Sequence, residues 1–274
     1  MELTKDVWTP GSLEKIHRGK ISGKVSDKWE LYLKVYDRLL APLEHQKVSL
    51  LEIGVQNGGS LESWSQYFKQ AEIIVGCDIN PLCSKLTYQD PKIHVVVGDA
   101  NSAEALEKIR RLSPGFDVII DDGSHFSNDI VNSFNLYFPL VKPGGIYIME
   151  DTHTLYHAIY GGGLKKKNTA TAFFKLFADL VNREHWQEDV KIEKLMGGFG
   201  TTALTDEVVQ GWVESVEFRN SLIIVRKEPV PTHAKLGTRL VVGTEALVET
   251  AILNKTTLEK MPIKKSWKDP KSWF

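Results

Sequence analysis

The sequence predicts an α/β fold: a mostly parallel, seven-stranded sheet with a C-terminal antiparallel hairpin and helices on both faces. Three observations lead to this prediction. Between residues 48 and 149, short apolar runs alternate with stretches of helical length and periodicity, which is the pattern of βαβ units. Connections of this length join parallel strands. Two later apolar runs are separated only by a short turn around Asn220, so they are expected to pair antiparallel.

The predicted elements follow one another along the chain. Leu31, Val35 and Leu39 recur at helical spacing before Pro42, which predicts a first helix over residues 29–40. The predicted strands are residues 48–53, 72–77, 93–97, 116–120, 145–149, 213–218 and 221–226. The other predicted helices are residues 61–68, 103–111, 130–140 and 170–186. The phenylalanines of the last helix are interpreted as core or subunit interface.

Composition divides the chain into three parts. Residues 1–45 are an N-terminal arm, polar and rich in glycine over residues 1–30, followed by the first helix. Residues 46–228 are the core domain, and residues 229–274 are a Lys-rich C-terminal extension. Within the core, residues 161–167 combine three glycines with three lysines. We interpret this stretch as a solvated loop beside the site rather than as an anion-binding element.

The overall composition is that of an ordinary globular protein. The 274 residues carry a net charge of −1, with 42% hydrophobic and 25% charged residues. This balance predicts no attraction to nucleic acid or to a membrane. The first residues lack the apolar run of a signal peptide, and two cysteines are too few for a disulfide framework. We therefore expect a cytoplasmic protein that forms a homo-oligomer.

A glycine turn after the first strand predicts a nucleoside site. The stretch Leu51-Glu-Ile-Gly-Val-Gln-Asn-Gly-Gly-Ser60 leaves a strand and opens a helix, and in open α/β sheets ligands lie at the carboxyl ends of strands. A tight turn without a ligand is the simpler alternative. The stretch departs from the Gly-x-Gly-x-x-Gly of NAD-binding proteins, because residue 56 is Gln. We predict that Glu52, Gly54 and Gly58 contact a donor without a pyrophosphate.

Two further carboxylates strengthen this interpretation. Asp78 ends the second strand, about 20 residues after the glycine turn, where an acid can bind ribose hydroxyls. Asp99 ends the third strand, where a carboxylate can meet an adenine amine. Either residue could instead cap a helix. A parallel sheet that closes with an antiparallel hairpin is also the layout of class I methyltransferases, whereas an ordinary dinucleotide-binding domain continues with parallel strands.

Two acidic doublets follow the next pair of strands. Asp121 and Asp122 end the fourth strand, and Glu150 and Asp151 end the fifth. Because neighbouring parallel strands end at the same edge of a sheet, these four carboxylates should share one crevice. Together they would repel one another, and a hard cation relieves that repulsion. Oxygen ligands favour Mg²⁺, with Mn²⁺ or Ca²⁺ as competitors; the alternative is that some of these acids cap helices or pair with lysines.

His125 is the candidate catalytic base. It lies three residues after Asp122, one turn apart if a helix starts there. An imidazole with an ordinary pKa can accept a hydroxyl proton. A hydrogen-bonded structural histidine is the alternative, and His153 and His157 are assigned no catalytic role.

Four segments together resemble a known family. They are Ser26-Asp-Lys-Trp29, residues 51–61, Asp121-Asp-Gly-Ser-His125 and Glu150-Asp-Thr152. They are similar to the metal-dependent sugar O-methyltransferases, which include macrolide enzymes of the mycinamicin and demethylmacrocin type and are related to a cephalosporin-hydroxylase-like group. The resemblance spans roughly residues 26–227. Glu30 departs from the family, which usually has glycine after the Asp-Lys-Trp.

The resemblance implies roles for individual residues. Asp122, Glu150 and Asp151 would hold Mg²⁺, His125 would be the general base, and Asp121 would lie nearer the methyl donor, S-adenosyl-L-methionine. The expected reaction is methyl transfer to a hydroxyl of a sugar or glycosylated natural product. Three alternatives stay open: a metal-dependent methyltransferase of a catechol-like phenol, an NAD-dependent oxidoreductase, and a binding module without chemistry.

Overall fold

One mixed sheet of seven strands organises the protein. The computed structural model describes residues 11–238. Its strands are β1 (Ser49–Ile53), β2 (Ile73–Asp78), β3 (Ile93–Val97), β4 (Phe116–Asp121), β5 (Val141–Met149), β6 (Val213–Arg219) and β7 (Leu222–Lys227). The strand order is β3-β2-β1-β4-β5-β7-β6. The pairs among β1 to β5 are parallel, and β7 is antiparallel to both β5 and β6. The predicted fold class is therefore confirmed.

Nine α-helices are found within the described residues. They are α1 (Ser12–Arg18), α2 (Glu30–Leu40), α3 (Gly59–Tyr67), α4 (Ala103–Leu112), α5 (Ser127–Tyr137), α6 (Ala170–Lys175), α7 (Phe177–Leu180), α8 (Ile192–Met196) and α9 (Asp206–Val209). None of these described helices combines the length and apolar character needed to cross a membrane.

Two apolar layers cover the two faces of the sheet. One packs Phe134, Tyr147 and the buried phenylalanines of α6 and α7 together. The other packs the buried faces of α1, α2 and α3 against the opposite side. Neighbouring residues of β1 alternate between them, with Leu51 in the first layer and Leu50 in the second, because side chains alternate along a strand. The phenylalanines of the predicted last helix therefore belong to the core.

Three local predictions are corrected by the structure. The arm over residues 1–30 contains α1, whose first turn is capped from a distance: the Asp37 carboxylate accepts bonds from Leu13 N (2.8 Å) and Glu14 N (3.1 Å). The buried face of α2 includes Tyr32 and Tyr36, while Leu31 is exposed. The helix predicted over residues 170–186 is broken into α6, α7 and a 3₁₀ turn at Arg183–His185.

The break after α7 has a local cause. The side-chain amide of Asn182 donates to Ala178 O (2.8 Å), the carbonyl that an α-helix would offer to the backbone N–H of residue 182. That backbone N–H bonds Asp179 O instead. Asparagine side chains compete with helical backbone bonds in this way, and the chain tightens into i→i+3 bonding.

The register brings the ends of five strands to one edge. Ile53 lies beside both Cys77 and Asp121, and Asp121 lies beside Met149. The chain runs from β1 outward to β3 on one side and from β4 to β5 on the other, which makes the carboxyl edge of β1 and β4 a topological switch point. Among the described residues, those up to His233 belong to one compact unit, and those from Ala234 onward are assigned to a second unit. The predicted boundaries at residues 45/46 and 228/229 stay predictions.

Candidate active site

A cleft of about 680 Å³ opens at the switch point. Its volume is in the range of small-molecule sites. Eight of the ten predicted site residues line it: Gly54, Asp78, Asp99, Asp121, Asp122, His125, Glu150 and Asp151. Residues 25–29 and Tyr32 also line it. The loops after five successive strands and one N-terminal segment therefore form a single site.

The glycine turn is bound by Asp78 rather than left open. Asp78 Oδ2 accepts hydrogen bonds from Val55 N (2.8 Å) and Gln56 N (2.7 Å), and Oδ1 accepts one from Asn80 N. In a dinucleotide site the backbone N–H groups of this turn bind a pyrophosphate. Here two of them are occupied by a carboxylate, which would also repel a phosphate. The turn suits a nucleoside without a pyrophosphate.

Gly54 allows β1 and β4 to end in contact. Its φ is +89°, and a Cβ built on it would lie 2.0 Å from the carbonyl oxygen of Asp122. A side chain at this position would therefore push the glycine turn after β1 away from Asp122, which directly follows β4.

Replacing Gly54 with alanine should destabilise the protein and weaken its binding of adenosylhomocysteine. Gly144→Ala is the matched control, because Gly144 also has a positive φ (+78°) but has no atom within 4 Å of the added Cβ. The backbone penalty of about 1–2 kcal/mol is common to both variants, so any further loss reports the clash. Urea unfolding and calorimetric titration measure the two effects; equal behaviour of the two variants would contradict this account.

Two predicted donor contacts lie away from the cleft wall. Glu52 is fully buried, accepts a bond from Ser60 Oγ (2.5 Å), and lies 3.4 Å from Lys28 Nζ. Burial raises the pKa of its carboxyl group. A Cβ on Gly58 would lie 2.2 Å from Tyr88 Oη. That Glu52 and Gly58 contact the donor stays a prediction.

Asp99 and Asp121 frame the cleft without capping helices. Asp99 is exposed, and its Oδ1 accepts a bond from Asn101 N, while Ser102 caps α4. Asp121 is buried, and Tyr147 Oη donates to its Oδ2 (3.2 Å). Burial raises the pKa of Asp121 to about 6. The helix-capping alternative is thus excluded for Asp99, as it is for Asp78, whose carboxylate bonds the glycine turn instead.

Asp122, His125 and Asp151 form one cluster. Their ligand atoms lie within 4.8 Å of one another. His125 Nε2 lies 3.9 Å from Asp122 Oδ1 and 3.8 Å from Asp151 Oδ2. The proximity of His125 to Asp122 was expected, but its basis in helical spacing was wrong, because α5 begins only at Ser127.

Left-handed backbone conformations shape this cluster. His125 has a φ of 59° and Asp151 a φ of 53°, and Gln56 on the donor side has a φ of 49°. All three residues line the cleft. Such conformations cost energy in residues other than glycine and concentrate at functional sites.

Glu150 lines the same cleft but is bound by other side chains. It is buried, and its Oε1 accepts bonds from Tyr36 Oη (2.6 Å) and Lys28 Nζ (2.8 Å). Burial, reinforced by the neighbouring Asp122, raises its pKa. Its role as a metal ligand stays a prediction.

Lys28 lines the cleft, and its role was not predicted from the sequence. Its ammonium group lies 2.6 Å from Asp122 Oδ2 and 2.8 Å from Glu150 Oε1. Burial alone would lower the pKa of Lys28, but the surrounding carboxylates Glu150, Asp122 and Glu52 raise it well above its ordinary value. The lysine therefore stays charged and offsets part of the negative charge of the site.

Two aromatic side chains near the start of α2 bind Asp151. Its Oδ1 accepts bonds from Tyr32 Oη (2.6 Å) and Trp29 Nε1 (3.1 Å). With Tyr36, these residues occur at helical spacing and face the ends of β4 and β5. Aromatic residues with polar tips at this spacing are the signal in the sequence for these contacts; the apolar periodicity of residues 29–40 does not show it.

The carboxylates of this cluster suit a hard divalent cation. Asp122 and Asp151 are partly exposed, with 21% and 26% of their side chains accessible, and each directs one oxygen toward His125. Magnesium is commonly held by one or two carboxylates, together with water and substrate oxygens. The residues present are therefore compatible with Mg²⁺.

Known proteins match this chain over its core. Residues 51–152 match a family described as a methyltransferase domain. A 3'-O-methyltransferase of 8-demethyl-8-(2-methoxy-alpha-L-rhamnosyl)-tetracenomycin-C from Streptomyces olivaceus is 32% identical over 71% of this chain and 50% of its own length. Mycinamicin VI 2''-O-methyltransferase from Micromonospora griseorubida is 36% identical over 56% of this chain and 39% of its own. The chain thus spans at most about half the length of these relatives.

A solved structure agrees with these sequence matches. The MycE methyltransferase of the mycinamycin biosynthetic pathway, in complex with Mg, SAH and mycinamycin VI, superposes with a TM-score of 0.63. It is 27% identical and covers 82% of this chain and 56% of its own. The matches confirm the resemblance seen in the sequence. Residues 51–152 thus match a methyltransferase domain, and the chain has the fold of the class I methyltransferases.

Proposed function

We propose that the protein is a Mg²⁺-dependent O-methyltransferase that transfers a methyl group from S-adenosyl-L-methionine to a hydroxyl of a sugar or glycosylated natural product. The observation that carries the proposal is that the cluster of Asp122, His125 and Asp151 lies in the same cleft as the glycine turn after β1. A nucleoside-binding half and a half suited to a cation and a base thus face one space.

The donor would occupy the side of the cleft formed by Gly54, Asp78, Asp99 and Asp121. Asp78, through the oxygen that the glycine turn does not bond, and Asp99 would bind the ribose and adenine. Asp121 lies between them and the His125 cluster. The absence of a free N–H cradle in the glycine turn disfavours NAD, which carries a pyrophosphate. A pure nucleoside-binding module has no need of the carboxylates and imidazole beside it.

The acceptor hydroxyl would lie beside His125 Nε2, which takes its proton as the oxygen attacks the methyl carbon. The new C–O bond forms as the C–S bond breaks, and the electron pair of that bond stays on sulfur. Asp122 Oδ1 and Asp151 Oδ2 lie 3.9 Å and 3.8 Å from the same nitrogen. A divalent cation held by these carboxylates would supply positive charge that makes the hydroxyl more acidic. Holding both reactants in line can contribute about 7 kcal/mol or more.

The choice of a sugar acceptor rests on the relatives. The two described above are named for methylating tetracenomycin-C bearing a rhamnosyl group and mycinamicin VI. A catechol offers the same adjacent pair of hydroxyls and is the alternative acceptor.

Transfer of a labelled methyl group to a panel of acceptors tests the proposal. With Mg²⁺ present, rhamnosides and other glycosides with adjacent hydroxyls should be methylated, while simple catechols should not. Methylation of catechols but not of glycosides would show that the acceptor is a phenol and not a sugar. If no acceptor receives the labelled methyl group and the protein binds NADH, the NAD-dependent oxidoreductase would be favoured.

We further propose that the protein acts in the cytoplasm as a homo-oligomer, without a nucleic acid or membrane partner. The net charge of −1 and the two free, buried cysteines are consistent with this. Light scattering of the purified full chain measures the oligomeric state directly.

A further inference from the structure

The two carboxylates beside His125 share an arrangement that the proposed mechanism does not explain. One oxygen of each faces the imidazole: Asp122 Oδ1 at 3.9 Å and Asp151 Oδ2 at 3.8 Å from Nε2. The other oxygen of each accepts a hydrogen bond from the N-terminal segment. Asp122 Oδ2 is bound by Lys28 Nζ at 2.6 Å, and Asp151 Oδ1 by Tyr32 Oη at 2.6 Å.

We propose that Lys28, Trp29 and Tyr32 are positioning residues that hold Asp122 and Asp151 so that each presents a single oxygen to the cleft. The proposal rests on the proposed function, because the oxygens so presented would be the ligands of the divalent cation. These three residues thereby contribute to the metal site, although they lie outside residues 51–152, which match the methyltransferase family.

Tyr32 makes the most constrained of these contacts. Its hydroxyl also accepts a bond from Asp151 N (3.0 Å) and lies 2.6 Å from Ser221 Oγ, in the turn between β6 and β7. The ring is buried, with 1% exposed. One hydroxyl therefore links α2, the end of β5 and the C-terminal hairpin. Because Asp151 holds a left-handed φ of 53°, its orientation depends on such support.

Lys28 and Trp29 act on the same principle with different chemistry. The Lys28 ammonium is buried and lies 2.6 Å from Asp122 Oδ2, so it fixes Asp122 by attraction as well as by a hydrogen bond. Trp29 contributes a single N–H to Asp151 Oδ1 at 3.1 Å, from a side chain that is 62% exposed. Partners that orient the ligands of a metal typically change its affinity by about 10–100-fold.

The test is the affinity of the full-length chain for Mg²⁺ alone, measured by calorimetry. Tyr32→Phe keeps the buried ring and removes only the hydroxyl, so its Kd for Mg²⁺ should rise about 10-fold or more. Its affinity for adenosylhomocysteine, which binds on the other side of the cleft, should stay unchanged and shows that the fold is intact. Trp29→Phe should give a smaller rise in the same direction, at an exposed position where folding is little affected.

Tyr67→Phe is the matched control. Tyr67 is also a buried tyrosine, but its hydroxyl has no hydrogen-bond partner among the described residues, and it lies outside the cleft wall. It should bind Mg²⁺ as the wild type does. Unchanged Mg²⁺ affinity in both Tyr32→Phe and Trp29→Phe, with a wild type that binds the ion, would overturn the positioning role alone. Failure of the wild type to bind Mg²⁺ would overturn the metal-dependent function and this proposal with it.

Discussion

Replacing His125 with asparagine should lower kcat by about 10²–10⁴-fold, the usual contribution of a general base. Asparagine lacks a group that can accept the hydroxyl proton near neutral pH, yet it tolerates the left-handed backbone that His125 adopts, with φ at 59°. Alanine would remove the base as well but would add backbone strain. The affinity for adenosylhomocysteine should stay unchanged, because His125 lies on the acceptor side of the cleft. Single-turnover methyl transfer and calorimetry measure the two quantities.

His157→Asn is the control for this experiment. His157 is exposed and does not line the cleft, so its replacement should leave kcat unaltered. Near-normal turnover by His125→Asn would show that another group removes the proton.

Removal of divalent cations should abolish most of the proposed methyltransferase activity. Dialysis against EDTA should lower turnover by more than about 100-fold, because a metal ion contributes several kcal/mol to stabilising developing charge. Addition of Mg²⁺ should restore it, and Mn²⁺ should replace Mg²⁺ at least in part, since both accept carboxylate ligands. Activity is followed as formation of adenosylhomocysteine.

A pair of variants locates the ion. Asp122→Asn removes one charged oxygen from the cluster and should require far more Mg²⁺ for half-maximal activity. Asp117→Asn is the comparison, because Asp117 has similar exposure but pairs with Lys142 at the opposite end of β4. Full activity in EDTA, or equal Mg²⁺ requirements in both variants, would exclude a metal at Asp122.

The strands were predictable because buried parallel strands appear as continuous apolar runs. Each of the seven was found within a few residues of its predicted position. The carboxyl-end acids followed from the same logic, since parallel strands end at one edge. Helix α1 was missed because Asp37, which caps it, lies more than 20 residues away in the sequence, and local patterns carry no trace of such a contact.

The contacts that hold the site's carboxylates could not be predicted from local sequence patterns. Lys28 meets Asp122 and Glu150 across 94 and 122 residues, and such pairings depend on how α2 packs on the sheet. The Asp-Lys-Trp motif marked this segment as part of a resemblance, without indicating what its residues bind. The left-handed conformation of His125 could not be predicted from the sequence either. The proximity of His125 to Asp122 was therefore predicted correctly, but from a helical spacing that the structure does not have.

A crystal structure of the full chain with adenosylhomocysteine and Mg²⁺ tests the central claim most directly. The account predicts the nucleoside between Gly54, Asp78 and Asp99, with its sulfur directed toward His125. It predicts the ion bound by Asp122 Oδ1 and Asp151 Oδ2. A nucleoside bound elsewhere, or an ion that avoids both of these oxygens, would contradict the account.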